Sequence, residues 1–232
     1  MSKVIDPGLF SKQVAADMKR GEFNTKNTNL VENNVDVDFV FIGDSITDNW
    51  ELNAYLGKTN KVIINRGISG DVTEYLYKRF DADVTQLKPK HCILLIGVND
   101  SWDLEYEPWN QRNGRSVEYV LNKANENIKA IVKKAKENNI HLIMCTVLPT
   151  NMTFTTKDDD RNVYILEINR TIRKICEEEK LILVDYYPYF VMQDKSIVKD
   201  GLTFEGLHPN TEGYNLMMKV LKETLALNGI EF

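Results

Sequence analysis

The stretch VDFVFIGDSITDNW, residues 37–50, points to the fold class. Its centre, Phe39-Val40-Phe41-Ile42, is continuously apolar rather than alternating, and it breaks into Gly43-Asp44-Ser45. A strand covered on both faces needs such a run, because side chains on either side meet a core. Four similar runs follow: KVIIN (61–65), HCILLIGV (91–98), HLIMCTVL (141–148) and LILVDYY (181–187). Amphipathic segments separate them. Val117, Val120, Leu121, Ala124, Ile128, Ile131, Val132 and Ala135 form one helical stripe. Val163, Leu166, Ile172 and Ile175 form a second, and Tyr214, Met217, Met218, Leu221 and Leu225 a third. Near the N-terminus, Asp6-Pro7 reads as a helix start, with Phe10, Val14 and Met18 along one face. Strands alternating with helices predict an α/β chain: a parallel five-stranded sheet covered on both faces, in one domain over residues 1–232.

Composition narrows the partners. The 232 residues carry 34 acidic and 29 basic side chains, a net charge of -5, and no basic run stands ready to neutralise phosphates. Nucleic acid is therefore not an expected partner. Hydrophobic residues make up 43% of the chain, enough for a large core. The N-terminal residues lack the apolar stretch of a signal peptide, and no run approaches the roughly 18 apolar residues of a membrane span. Cys92, Cys145 and Cys176 are an odd set, two of them inside apolar runs, and read as buried free thiols. A cytoplasmic location is the expectation.

Open parallel sheets bind ligands beyond the carboxyl ends of their strands, which directs attention to residues 43–50, 66–73, 97–115 and 200–210. Ser45, at a strand-to-helix turn, reads as a nucleophile or as the cap of the next helix, since serine serves both roles. In NRGISGDVTEYLYKRF, Asp71 with Glu74 three residues on resembles a capping pair. Gly70 then stands just before a helix, either as a backbone donor to a ligand or as a plain turn glycine. Asn99, in LLIGVNDSW, can donate its amide or simply occupy a loop. His91 and His141 each begin an apolar strand. His208, in DGLTFEGLHPNTEGY, lies among loop residues ahead of a helix capped by Asn210, where it is suited to act as a base. A nucleophilic serine needs a base, a group that orients the base, and donors for the oxyanion. Ser45, His208, a nearby carboxylate, Gly70 and Asn99 make up such a set.

The blocks GDSIT, GISGD, GVND and GLHPN occur in that order over residues 43–210. They resemble those of the SGNH hydrolases, the GDSL-type lipases and esterases. The resemblance implies a flavodoxin-like, three-layer α/β/α sandwich that hydrolyses carboxylic esters with no metal or cofactor. It also implies Ser45 as nucleophile, His208 as base, and an oxyanion hole of the Ser45 and Gly70 N–H groups with the Asn99 side chain. One position departs from the family pattern, an aspartate three residues before the histidine: here that residue is Glu205. Asp200, in DGLT, is the alternative acid, eight residues from His208, and a backbone carbonyl is a third way to orient the ring.

Substrate is less sharply drawn. The loop NDSWDLEYEPWNQRNGR (99–115) sets Trp102, Tyr106 and Trp109 among Asp103, Glu105 and Glu107. That mixture suits a sugar ring, an acyl pocket, or a plain cover for the strand ends. Asp44, Trp102, Trp109 and Leu207 are the candidate substrate contacts. Asp158-Asp159-Asp160, in LPTNMTFTTKDDDRN (148–162), reads as a solvated helix start rather than a metal site, and no His or Cys cluster suggests a metal. With no apolar lid segment in view, the expected partner is a small-molecule ester with a short acyl group on a carbohydrate or small alcohol. A lysophospholipase or thioesterase is the alternative enzyme, and a ligand-binding domain with a decayed triad the alternative class. The oligomeric state stays open, a homodimer included.

Overall fold

The computed structural model describes residues 4–192 and 195–232. Its first elements are α1 (Val14–Glu32), β1 (Phe39–Gly43), α2 (Ser45–Asp48), α3 (Leu52–Leu56), β2 (Ile63–Gly67), α4 (Thr73–Asp83) and β3 (His91–Leu95). A 3₁₀ stretch, Val98–Leu104, leads into a small hairpin of β4 (Tyr106–Glu107) and β5 (Arg112–Asn113). The chain then runs through α5 (Val117–Glu137), β6 (Leu142–Cys145), α6 (Asp158–Glu179), β7 (Ile182–Val184), α7 (Tyr187–Phe190) and α8 (Thr211–Leu227).

The five apolar runs become the five strands of a parallel sheet flanked by helices, in the order β2-β1-β3-β6-β7. Counting sheet strands alone, this is the doubly wound order 2-1-3-4-5, whose direction of winding reverses between β1 and β3. β1 lies between β2 and β3: Phe39 faces Ile63 on one side and His91 on the other, and Gly43 faces Gly67 and Leu95. Phe39, Val40, Phe41 and Ile42 are all buried, which accounts for the unbroken apolar run. Each such side chain contributes about 1.5–3 kcal/mol by leaving water.

The chain divides into two compact units, Met1–Ile96 with Asn127–Ile143, and Gly97–Glu126 with Met144–Phe232. In the first unit, charge lies deep in the core. Arg20 on α1 pairs with Asp83 on α4 at 3.1 Å, and Arg79 pairs with both Asp71 and Asp83. Arg66 on β2 donates from Nε and Nη2 to Asn27 Oδ1 at 3.0 and 2.8 Å. Two expectations differ from the structure. α1 begins at Val14 rather than at Asp6-Pro7, where Asp6 Oδ1 instead accepts from the Gly8 N–H in a turn. Its buried face is Ala16, Arg20, Phe23 and Asn27, while Met18 is exposed and Phe10 precedes the helix. A half-polar buried face cannot be found from apolar spacing. Asp71 is likewise not the cap of α4, which Val72 occupies, because the carboxylate is held by Arg79.

In the second unit, α6 starts at Asp158 as expected. Its buried face runs through Arg161, Tyr164, Ile165, Ile168, Ile172 and Ile175, whereas Val163 of the expected stripe is exposed. All five stripe residues of α8 are buried, and Asn210 caps that helix by accepting from the Gly213 N–H at 3.1 Å. Within α5, Val120, Ala124, Ile128, Ile131, Val132 and Ala135 form the buried line. Cys92, Cys145 and Cys176 are buried free thiols. Among the described residues, no helix is long and apolar enough to cross a membrane.

Candidate active site

The cap of α2 is Asp44. Its Oδ1 accepts from the Ile46 N–H at 3.0 Å, which leaves Ser45 as the first helical residue, buried at 6% exposure. The helix thus has its cap without the serine hydroxyl. Asp44 itself is buried, with this oxygen given to the helix.

Gly70 lies in a turn over Ile68–Asp71, closed by the Asp71 N–H on the Ile68 carbonyl at 3.1 Å. With φ at +80°, Gly70 holds the third position of a type II turn, which residues with a Cβ adopt only under strain. The turn's own hydrogen bond is made by Asp71 and not by Gly70. Two side chains tie this turn to the Ser45 helix. Asp48 Oδ2, at the end of α2, accepts from the Ser69 hydroxyl at 2.8 Å. Asn65 Nδ2 donates to the Thr47 carbonyl at 2.8 Å, while its Oδ1 accepts from the Gly67 N–H. Ser45 and Gly70 therefore belong to one braced pair of strand-end loops in the first unit.

In the second unit, Asn99 is buried in the 3₁₀ stretch just after Gly97. α6 holds this segment. Tyr164 donates its hydroxyl to the Gly97 carbonyl at 2.9 Å, and Arg161 Nε donates to Ser101 Oγ at 3.0 Å. Arg161 also reaches Glu105 at 3.2 Å, and Glu105 accepts from the Thr156 hydroxyl at 2.6 Å and the Lys157 N–H at 3.1 Å. Burial alone would raise the Glu105 carboxyl, but Thr156, Arg161 and the Lys157 amide together hold it below its ordinary value. Glu105 is thus a buried structural anion and not one of the carboxylates facing solvent between aromatics.

The aromatics of this loop separate. Trp102 is half-buried, with the guanidinium groups of Arg112 and Arg161 over its ring at 4.1 and 4.8 Å. Trp109 and Tyr106 stand out at 79% and 73% exposure. Leu207, the remaining candidate contact, is buried.

His208 lies in a loop closed by the Phe204 N–H on its carbonyl at 2.9 Å and by the bridge between Thr203 and Pro209. Its Nδ1–H donates to Oε1 of Glu205, which in the neutral ring leaves the lone pair on Nε2. Asp200 is exposed, and among the described residues no bond joins it to the ring. Gly206, at φ +87°, lets the loop pass against the Asn151 carbonyl, where a Cβ has no room. The Asn151 N–H donates to the Gly206 carbonyl at 2.8 Å, so the 150s segment braces the histidine loop. That segment lines a polar cavity of about 420 Å³ with Asn151, Thr155, Thr156, Asp158 and Lys195. Among the described residues, no group of three or more His, Cys, Asp or Glu side chains converges as metal ligands do.

Arg79 and Arg161 are buried cations that hold these loops, and composition and motifs passed over them. A signal exists: Arg79 shares a helical face with Leu76, Phe80 and Asp83, and Arg161 shares one with Ile165, Ile168 and Ile172. A cation on a buried face needs a partner, and here the partners are strand-end loops.

Residues 41–216 match the model of the GDSL-like lipase/acylhydrolase family. An acetylxylan esterase of Geobacillus stearothermophilus is 24% identical over 157 residues, 68% of this chain and 68% of that protein. A candidate acylhydrolase of Bacteroides fragilis superposes with a TM-score of 0.77 at 25% identity, covering 94% of this chain and 99% of that one. A GDSL-like lipase of Bacteroides thetaiotaomicron gives 0.75 at 27% identity, covering 90% and 97%.

Proposed function

The chain belongs to the GDSL-like lipase/acylhydrolase family and is an ester-bond hydrolase; from that premise we propose that it removes short acyl groups, acetyl foremost, from a carbohydrate or small alcohol through an acyl-enzyme on Ser45. His208 Nε2 takes the Ser45 proton as the hydroxyl attacks the ester carbonyl. The Ser45 and Gly70 N–H groups and the Asn99 amide hold the oxyanion. The imidazolium, oriented by Glu205, then protonates the leaving alcohol, and water repeats the sequence on the acyl-enzyme. The observation that carries this reading is the bond from His208 Nδ1 to Glu205, which gives the ring the tautomer a base requires.

The carbohydrate preference draws on three features. The Geobacillus relative is an acetylxylan esterase. Trp109 and Tyr106 offer exposed aromatic faces, which suit the C–H faces of a sugar. The cavity beside the histidine loop presents hydroxyls, an amide and charges alongside Met152 and Ile197. Phe204 and Phe154, exposed at 78% and 64%, favour the second reading, in which a longer acyl chain lies along the histidine loop. A cytoplasmic location draws on the three buried free thiols. A single catalytic domain draws on the family match, which runs through both units.

A fluorophosphonate probe tests the nucleophile: wild type is labelled and Ser45→Ala is not. Absence of labelling in wild type removes the reading. Acetylated xylo-oligosaccharides assayed beside p-nitrophenyl esters of rising chain length then test the substrate, with faster turnover of the longer chains selecting the second reading.

A further inference from the structure

We infer that Arg79 is a positioning residue of the oxyanion hole, clamping together the two loops that carry the Ser45 and Gly70 N–H groups. This rests on the reading of Ser45 as nucleophile. Arg79, on α4, is fully buried. Its Nε donates to Asp71 Oδ2 at 2.7 Å, and Nη2 reaches the same oxygen at 2.7 Å and the Gly43 carbonyl at 3.0 Å. Nη1 donates to the Arg66 carbonyl at 2.8 Å and to Asp83 Oδ2 at 2.9 Å. Those contacts engage the whole donor fork.

Two of these partners adjoin the proposed donors. Asp71 directly follows Gly70 and closes its type II turn through its own N–H. Gly43 directly precedes Asp44, the cap of the Ser45 helix, and its carbonyl also accepts the Ile68 N–H at 3.0 Å. One planar guanidinium thus fixes the plane of the peptide entering the Ser45 turn and the carboxylate leaving the Gly70 turn. Oxyanion donors act through placement made before the reaction, so a shared rigid fork is what two separate loops require. Stability is a poor explanation for this arrangement, because desolvation of a buried ion pair offsets most of its attraction. A lysine carries one compact ammonium and cannot span both loops in the same geometry.

Asp83 supplies the control: it pairs with Arg79 and Arg20 and accepts from Asn27, and among the described residues it bonds to neither loop. Arg79→Lys, Asp71→Asn and Asp83→Asn are compared by Tm, by kcat and KM on a p-nitrophenyl acetate assay, and by inhibition with a trifluoromethyl ketone, whose adduct places an oxyanion in the hole. Arg79→Lys and Asp71→Asn are expected to lower kcat at least about tenfold with KM within about twofold, and to weaken the ketone in parallel, a fraction of the loss on deleting a donor outright. Asp83→Asn lowers Tm and keeps kcat. The clamp is overturned if Arg79→Lys and Asp71→Asn lower Tm but retain wild-type kcat and ketone affinity. Should Arg79→Lys not fold, Asp71→Asn carries the comparison, since it leaves the bond to Gly43 in place. Failure of wild type to take the fluorophosphonate at Ser45 removes both readings; labelling of wild type and Asp71→Asn at equal rates removes only the clamp.

Discussion

His208 is bonded through Nδ1 to Glu205, three residues earlier in its own loop, and Asp200 makes no bond to the ring among the described residues. The glutamate stem is one methylene longer than that of the family's aspartate. The left-handed turn at Gly206 and the Phe204–His208 closure shape the loop that brings it to the ring. Glu205→Gln is expected to lower kcat by up to about 10⁴ with little change in KM, the loss that an amide in place of the orienting acid causes in a serine triad. Asp200→Asn should stay within about twofold of wild type on the same ester. The reverse pattern, measured by steady-state kinetics, assigns the role to Asp200.

Asn99 and Gly70 can be separated by stability. Asn99→Ala should lower kcat by roughly 10²–10³ at unchanged KM, as loss of one oxyanion donor does. Gly70→Ala adds a backbone cost, because φ is +80° and a Cβ there costs about 1–2 kcal/mol. Circular-dichroism melts beside kinetics should show a lower Tm for Gly70→Ala. An Asn99→Ala enzyme with normal turnover takes that side chain out of the mechanism.

Acid should loosen the loop that carries Asn99. Glu105 titrates below its ordinary value of 4.5 in the folded chain, so its contribution to stability is present above that value and is lost as pH falls through and below it. Glu105→Gln should lower Tm at neutral pH and flatten the decline of Tm on the acid side. An unchanged acid limb in that variant disproves the assignment.

The two tryptophans should part company. Trp102→Ala removes a half-buried ring beneath two guanidinium groups and is expected to destabilise the fold by up to about 3 kcal/mol. Trp109→Ala, at a highly exposed position, should leave Tm unchanged and raise KM for an acetylated oligosaccharide, but not for p-nitrophenyl acetate. Equal KM values on the sugar ester for Trp109→Ala and wild type exclude Trp109 from the substrate surface.

Asn210 caps α8 and also donates from Nδ2 to the Gly201 carbonyl, closing the far side of the histidine loop. Asn210→Ala should cost about 1 kcal/mol, the usual worth of a cap. In a chain of this size that corresponds to a Tm lower by about 2–4 °C in a calorimetric scan.

Much of the architecture was legible because its signals are local. Five apolar runs mark the five sheet strands, and the stripe of α8 faces inward as its spacing predicts. The cap at Asn210 and the start of α6 at Asp158 also follow from chemistry within a few residues. The strand ends are where chemistry belongs in such a sheet, since ligands of a parallel sheet gather there.

Residue order alone specified which residues stand at the strand ends; only the folded chain decided how they are held. Asp44 rather than Ser45 caps α2, Asp71 serves Arg79 rather than α4, and Glu105 is locked beneath Arg161. α1 starts at Val14 and not at Asp6-Pro7, where Asp6 Oδ1 takes the Gly8 N–H in a turn. Each of these outcomes is a competition for a hydrogen-bond or ion-pair partner, several of them between distant segments. A buried polar group takes whichever partner the fold brings within reach, and sequence spacing carries no record of that choice.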